Sequence, residues 1–228
     1  MKKIFLSLGL IILIFTLGAC SKTIETGNDM DLNLNDENVA SSSQALEESN
    51  IVIGKYTVNT DLSKINWKGE KVIGSSHEGK LKIKSGEFYM SDNKIVSGEI
   101  IFDMDTITDN DNNQKLVDHL KNDDFFSTET YPESKLTIKD STLESLNDNK
   151  AVYNILASLE IKGIEEEINF NATLEFKGSY LNIYSEQEID RTRWDIRYGS
   201  DKFFDNLEDN IIKDEIELEI ILVSSLSE

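Results

Sequence analysis

From residue 53 to about residue 225, apolar and polar side chains alternate, and this period of two restricts the possible folds more than any motif does. Successive residues of a strand point to opposite faces, so a strand with one dry and one wet side writes this pattern. Ile65 and Trp67 alternate with Lys64, Asn66 and Lys68, and Leu81 and Ile83 with Lys80, Lys82 and Lys84. Ile100, Phe102 and Met104 repeat it. The pattern is clearest late in the chain. Ile168, Phe170, Ala172, Leu174 and Phe176 face Glu167, Asn169, Asn171, Thr173 and Glu175, and Ile216, Leu218, Ile220 and Leu222 face Glu215, Glu217 and Glu219. Residues 136–143, 153–161 and 181–189 add strands, broken by Asn147-Asp148-Asn149 and Lys177-Gly178-Ser179, which makes about eight in all. Only residues 114–121 read as a helix, with Leu116, Val117 and Leu120 on one face.

One short helix cannot cover the apolar face of so much sheet, so the sheet must pack on another sheet or close on itself. The fold class is therefore all-β, a sandwich or a closed barrel, and closure also removes exposed edges. A barrel of about eight strands is either filled by side chains or holds one small ligand. Period alone leaves both open.

The N-terminus has its own grammar. Lys2 and Lys3 precede an apolar run over 4–17, and Leu17-Gly18-Ala19-Cys20 follows. The run contains Ser7, Gly9 and Thr16 and is shorter than the ~20 apolar residues of a membrane span. It reads as a secretory signal over 1–19. The sequence LGAC-S resembles the bacterial lipobox, which implies cleavage before Cys20 and acylation of that cysteine. At roughly 0.8 kcal/mol per buried CH₂, two or three acyl chains hold a protein on a membrane. The expectation is an exported protein, lipid-anchored to a cell-envelope membrane through Cys20. Cys20 is the single cysteine, which excludes an internal disulfide, a thiolate metal cluster and a CxxC pair.

Residues 20–52 are rich in Ser, Asn, Asp and Glu without a period and read as a tether; residues 53–225 form the folded domain. Removing residues 1–19 takes two of the 23 basic residues and none of the 43 acidic ones, which leaves a net charge of about −22. Such a surface repels nucleic acid and anionic lipid. Its ordinary meaning is solubility.

Five segments carry a resemblance: WKGEKVIGSSHEGKL at 67–81, FDMDTIT at 102–108, KLVDHLKNDDFFSTETYPES at 115–134, LEIKGI at 159–164 and EIDRTRWDIRYGS at 188–200. In this order, from residue 56 to about 223, they resemble the YceI-like family of exported lipid-binding proteins. The resemblance implies an elongated, lipocalin-like antiparallel barrel whose apolar interior holds a long isoprenoid chain or a similar amphiphile. The chain departs from that family at Glu165-Glu166-Glu167, where a basic residue is common.

The candidate lumen residues are Trp67, Phe88, Phe102, Met104, Tyr153, Ile155, Phe170, Leu174 and Phe176. The same residue types fill a solid core or line a hollow one. His77, at the head of a strand, is a headgroup candidate at the cavity mouth, and His119 would dock the helix over one barrel end. Neither has a second histidine at ligand spacing and there is no HExxH, so no metal site is expected. Asp109, Asp111 and Asn113 match the opening of a calcium loop, but Gln114 and Leu120 stand where Gly and Glu are needed, so the run reads as a solvated loop.

Arg191, Arg193 and Arg197 form the densest cationic cluster, beside Asp190 and Asp195. On an extended segment Arg191 and Arg193 would share a face. Guanidiniums there can grip a phosphate or carbonyl headgroup, or pair with the aspartates as a latch. No GxSxG elbow, catalytic cysteine, Gly-rich phosphate loop or GxGxxG is present, so no catalytic residue and no cofactor is expected. The reading is a membrane-tethered barrel that binds or carries a polyisoprenoid, quinone or similar amphiphilic lipid. Its rival is an envelope stress or interaction module with a packed barrel.

Overall fold

The computed structural model describes residues 53–227. The signal over 1–19, Cys20 and the tether over 20–52 lie outside the described residues. Nine strands and one α-helix are found among the described residues: β1 (Gly54–Val58), β2 (Lys64–Glu70), β3 (Ser76–Ser91), β4 (Lys94–Asp109), α1 (Gln114–Lys121), β5 (Glu133–Asn147), β6 (Lys150–Ile161), β7 (Ile164–Lys177), β8 (Tyr180–Asp190) and β9 (Glu215–Leu226). All pairings are antiparallel, and the sheet closes on itself through β3–β4. The chain is an all-β barrel with one short helix.

Nine strands fill eight positions because β1 and β2 share one. Both pair with β3 and β9: Thr57 lies opposite Glu87 and Ser225, and Trp67 opposite Gly79 and Leu218. The break between them is a local turn. Asn59 Oδ1 accepts from the amides of Asp61 and Leu62, while Ser63 Oγ donates to Asn59 O and accepts from Val223 N. Asparagine side chains make such turns because they mimic a backbone carbonyl. Tight hairpins join β3 to β4, β5 to β6, β6 to β7 and β7 to β8. At Asp92-Asn93 and Lys162-Gly163 both central residues have positive φ, 50° and 58°, then 53° and 71°, the mirror-image turn whose twist matches that of the strands.

The interior differs between the two ends. Toward the hairpins at 91–94, 147–150 and 177–180 it is filled: Phe88, Met90, Ile95, Tyr153, Leu174 and Leu181 are each 0–1% exposed. Tyr56 stacks on Phe88 with ring centroids 5.3 Å apart. A Cβ at Gly98 would come within 2.7 Å of the Cβ of Phe88, its pairing partner on β3, so glycine there leaves that side chain its room. Burying each large apolar side chain stabilises by about 1.5–3 kcal/mol.

At the other end β4 leads into α1. The Asp109 carboxylate accepts from the amides of Asp111 and Asn113 at 3.0 and 2.9 Å, and Asn113 caps the helix by accepting from Leu116 N at 3.3 Å. The helix buries Val117 and Leu120, and Lys121 Nζ donates to Asp105 O at 2.6 Å. Here the wall also parts. β7 pairs with β8 only from Thr173↔Tyr184 to Lys177↔Tyr180. Beyond that, Ser185 Oγ and Gln187 Nε2 cross the gap to donate to Asn171 O at 2.6 and 3.2 Å.

Candidate functional site

The helix end of the barrel holds an apolar cavity of about 400 Å³. Its deepest lining residues are Leu81, Phe102, Leu136, Leu159, Phe170 and Ile220, each on a different strand. One inward-facing step further along those strands stand Ile83, Ile100, Ile138, Ala157, Ala172 and Leu222, all buried and none lining the cavity. These six residues close the inner end of the cavity.

Trp67 shows how the sequence seats a wall residue. Its ring lies against Gly79, its pairing partner, where a Cβ would approach within 2.7 Å of the indole. Its Nε1 donates to Thr108 O at 3.1 Å, so the polar end of the ring is satisfied at the wall. Of the nine lumen candidates, Trp67, Phe102, Met104 and Phe170 line the cavity.

The other five do not. Phe88, Tyr153 and Leu174 lie in the filled half, Ile155 is buried opposite Phe170 without reaching the cavity, and Phe176 packs against the core from beside the β7–β8 turn. Alternation sends all nine to the inner face, but position along the strand decides which of them meet empty space. The Tyr153 hydroxyl is buried without a hydrogen-bond partner among the described residues, and burial pushes its pKa up to about 12. The aliphatic lining, Ile65, Leu81, Leu136, Leu218 and Ile220, stands on the same inner faces and was legible as core, not as cavity wall.

Polar groups ring the mouth. His77 lines the cavity, with Nδ1 3.5 Å from Asp109 Oδ1, and both atoms are buried without a hydrogen-bond partner among the described residues. His119 also lines it. Its Nε2 lies 3.0 Å from Asp124 Oδ2, and its ring meets Phe125 and Tyr198 edge-on at 4.9 and 4.6 Å. The helix histidine thus sits in an aromatic cluster over the cavity. Glu70, at the rim, is bonded by Lys213 and Lys68, both at 2.5 Å, and these hydrogen bonds hold its pKa down to about 2.

The three arginines diverge. Residues Arg191–Trp194 form a 3-10 turn, with three residues per turn rather than the two of a strand, so Arg191 and Arg193 do not share a face. Arg191 is 1% exposed and donates to the carbonyls of Lys213, Ile196 and Ile212 and to Asp214 Oδ1. Burial draws its pKa below the usual arginine value. Lys202 bridges Asp190 and Asp214 beside it at 3.0 and 2.9 Å. Arg193 donates to Glu166 Oε2 and Glu167 O, both at 2.8 Å, and lies over the Trp194 ring. Arg197 pairs with Asp195 at 2.6 Å and lies over Phe203. Each guanidinium has an acidic partner, and the geometry is that of a latch tying the segment after β8 to β7 and β9. Glu166, in the acidic run that sets this chain apart, is what Arg193 grips.

The description "YceI-like domain" belongs to a family model that matches residues 56–223. The crystal structure of BcnA from Burkholderia cenocepacia is similar at a TM-score of 0.60 and 21% identity, over 73% of this chain and 98% of that one. A polyisoprenoid binding domain from Saccharophagus degradans, implicated in plant cell wall breakdown, is similar at a TM-score of 0.60 and 13% identity, over 75% of this chain and 98% of that one. At these identities the likeness is one of fold. No curated protein matches the chain.

Proposed function

The chain belongs to the YceI-like family, and from that premise we propose that it binds the apolar tail of an amphiphilic lipid, of the isoprenoid or quinone kind, in the hollow half of its barrel. The observation that carries this reading is the 400 Å³ cavity, apolar in its depth and polar at its mouth. That layout is the one an amphiphile needs, with tail in the dry part and headgroup at the rim. It favours a binding barrel over one packed solid, and the Saccharophagus domain of the same fold is itself described as polyisoprenoid-binding. His77 is the proposed headgroup contact, because it lines the cavity at its mouth and its ring is placed there beside Asp109. Arg191, Arg193 and Arg197 serve the ligand only indirectly in this reading, by holding the mouth in shape.

The mechanism is transfer of hydrocarbon from water to a dry lumen, worth about 0.8 kcal/mol per buried CH₂ before the cost of ordering the chain. A bilayer offers the same hydrocarbon environment, so the net preference for the barrel over the membrane is small and loading is reversible. Binding rather than catalysis is proposed, with Cys20 holding the domain at an envelope membrane. Mass spectrometry of organic extracts from gently purified protein tests the ligand, and we expect one amphiphile at near-stoichiometric amount. An empty extract, with no prenol bound on addition, would overturn the reading. Cys20→Ser tests the anchor: incorporation of labelled fatty acid should stop, and labelling that persists would refute the lipoprotein assignment.

A further inference from the structure

We infer that the mouth end of the barrel is a docking surface for a lipid bilayer of no net charge, on which four apolar side chains seat the open cavity. Those side chains are Val72, Ile73, Phe203 and Phe204, which are 43–63% exposed. They belong to two loops that meet beside the opening. Lys71 N donates to Ser75 O and closes the first loop into a turn, with Val72 and Ile73 at its tip and with Lys71 and Ser75 both lining the cavity. Val72 N donates to Ile211 O, and Ile212 N to Gly199 O, which lays this turn against the second loop. That loop carries Tyr198, another lining residue, and then Phe203 and Phe204, whose amides both donate to Ser200 O. None of the four exposed residues lines the cavity. Apolar side chains gathered around one opening mark a contact site rather than scattered exposure.

Chain layout and charge name the occupant. The inference rests on the lipid-binding reading, in which a tail entering the cavity comes from a bilayer and the opening is where the two meet. The described chain begins at the opposite end, since Gly54 pairs with Met90 beside the hairpin at 91–94. The segment over 20–52, about 33 residues, reaches at most about 110 Å when extended, whereas the 16 residues of β3 span about 50 Å. With Cys20 anchored as proposed, that is enough chain for the mouth to lie on the membrane while the hairpin end is turned away. An anchor also raises the effective concentration of the domain at the surface, so a few partly inserted side chains suffice. Charge selects the lipid. Around the two phenylalanines stand Asp201, Asp205, Glu208 and Asp209, all exposed, and the whole chain carries a net charge of −20. Such a face is repelled by anionic headgroups and by a second copy of itself, whereas a zwitterionic phosphatidylcholine surface does not oppose apolar insertion in this way.

The test uses the mature chain, from Cys20 onward, on phosphatidylcholine vesicles. Acylation turns the Cys20 thiol into a thioether, so Ile73→Cys, or Ser179→Cys in the hairpin at the opposite end as a control, offers a single thiol to a polarity-sensitive fluorophore. We expect the label at 73 to brighten by at least about twofold and to be quenched by nitroxide-bearing lipid, while the label at 179 reports water. A label at 73 that stays in water overturns the docking. So does brightening that is stronger on phosphatidylglycerol vesicles, or that appears without lipid as the protein concentration rises, which would assign the patch to a second copy of the chain. Ile73→Asp with Phe204→Asp should slow uptake of geranylgeraniol from the vesicles by at least about tenfold and leave affinity for farnesol in water within about twofold, both read from Trp67 in the cavity wall. An unchanged uptake rate in that variant would overturn the role of the patch in loading. No farnesol bound by the unaltered protein would instead overturn the lipid-binding reading, and the label at 73 decides the docking either way.

Discussion

At the scale of single residues, the cationic cluster shows what a sequence displays and what it hides. Three arginines within seven positions are visible at once. Their destinations are not, because a four-residue 3-10 turn is too short to mark the alternation and it rotates each side chain to a different neighbour. Arg191 is buried on three carbonyls and Asp214, so Arg191→Gln should cost about 3 kcal/mol in urea denaturation by stranding those acceptors. Arg197, on the surface, should cost less than about 1 kcal/mol when changed to Gln. Glu70 gives a pH signature. Its folded pKa lies near 2, below the ordinary 4.5, so its charged form is favoured by the fold. Its contribution is complete above pH 4.5 and is lost as the pH falls through about 2. Carbon-detected NMR titration should place the midpoint near 2, and Lys213→Met should move it part of the way back toward 4.5, Lys68 remaining as partner.

At the scale of elements, the strands and the helix were legible because each follows one period over several residues. The spacing of Leu116, Val117 and Leu120 marks the helix, and Asn113 just ahead of it supplies the cap. Strand β1 was not legible, since five residues hold too few alternations and the turn at Asn59 splits a single barrel position into two elements. The faces of β7 can be tested directly. Phe170 points inward and Asn171 outward, where it accepts from Asn154 Nδ2 at 3.0 Å. Phe170→Asp should cost several kcal/mol, about 3 or more, by burying an unpaired charge among apolar neighbours, whereas Asn171→Asp keeps its acceptor and should cost less than about 1. Equal tolerance in thermal unfolding would contradict the inner and outer assignment.

At the scale of the whole molecule, the division into a filled and a hollow half was beyond sequence. Phe88 and Phe102 are the same residue on the same kind of face, and what separates them is distance along the barrel, which no local pattern records. The division predicts an asymmetry in stability. Leu174→Ala opens a new void in the filled half and should cost about 2–5 kcal/mol. Leu218→Ala only enlarges space that already exists and should cost nearer 1 kcal/mol, since the cavity-creation component is absent. Denaturant midpoints of the two variants, compared at equal slope, measure the difference.

The parting of β7 from β8 has a consequence for time rather than energy. Along β8, every second amide points toward β7; over 180–184 it finds a ladder partner there, and over 185–190 it does not. Deuterium uptake should therefore run evenly slow over 180–184 and alternate, fast then slow, over 185–190, where only the amides turned toward β9 are protected. The barrel is a ring of hydrogen bonds at one end and a seam at the other. A seam basted by Ser185, Gln187 and Arg193 is held by side-chain hydrogen bonds where the rest of the wall has a ladder, so it is the part of the wall expected to open and reclose most often.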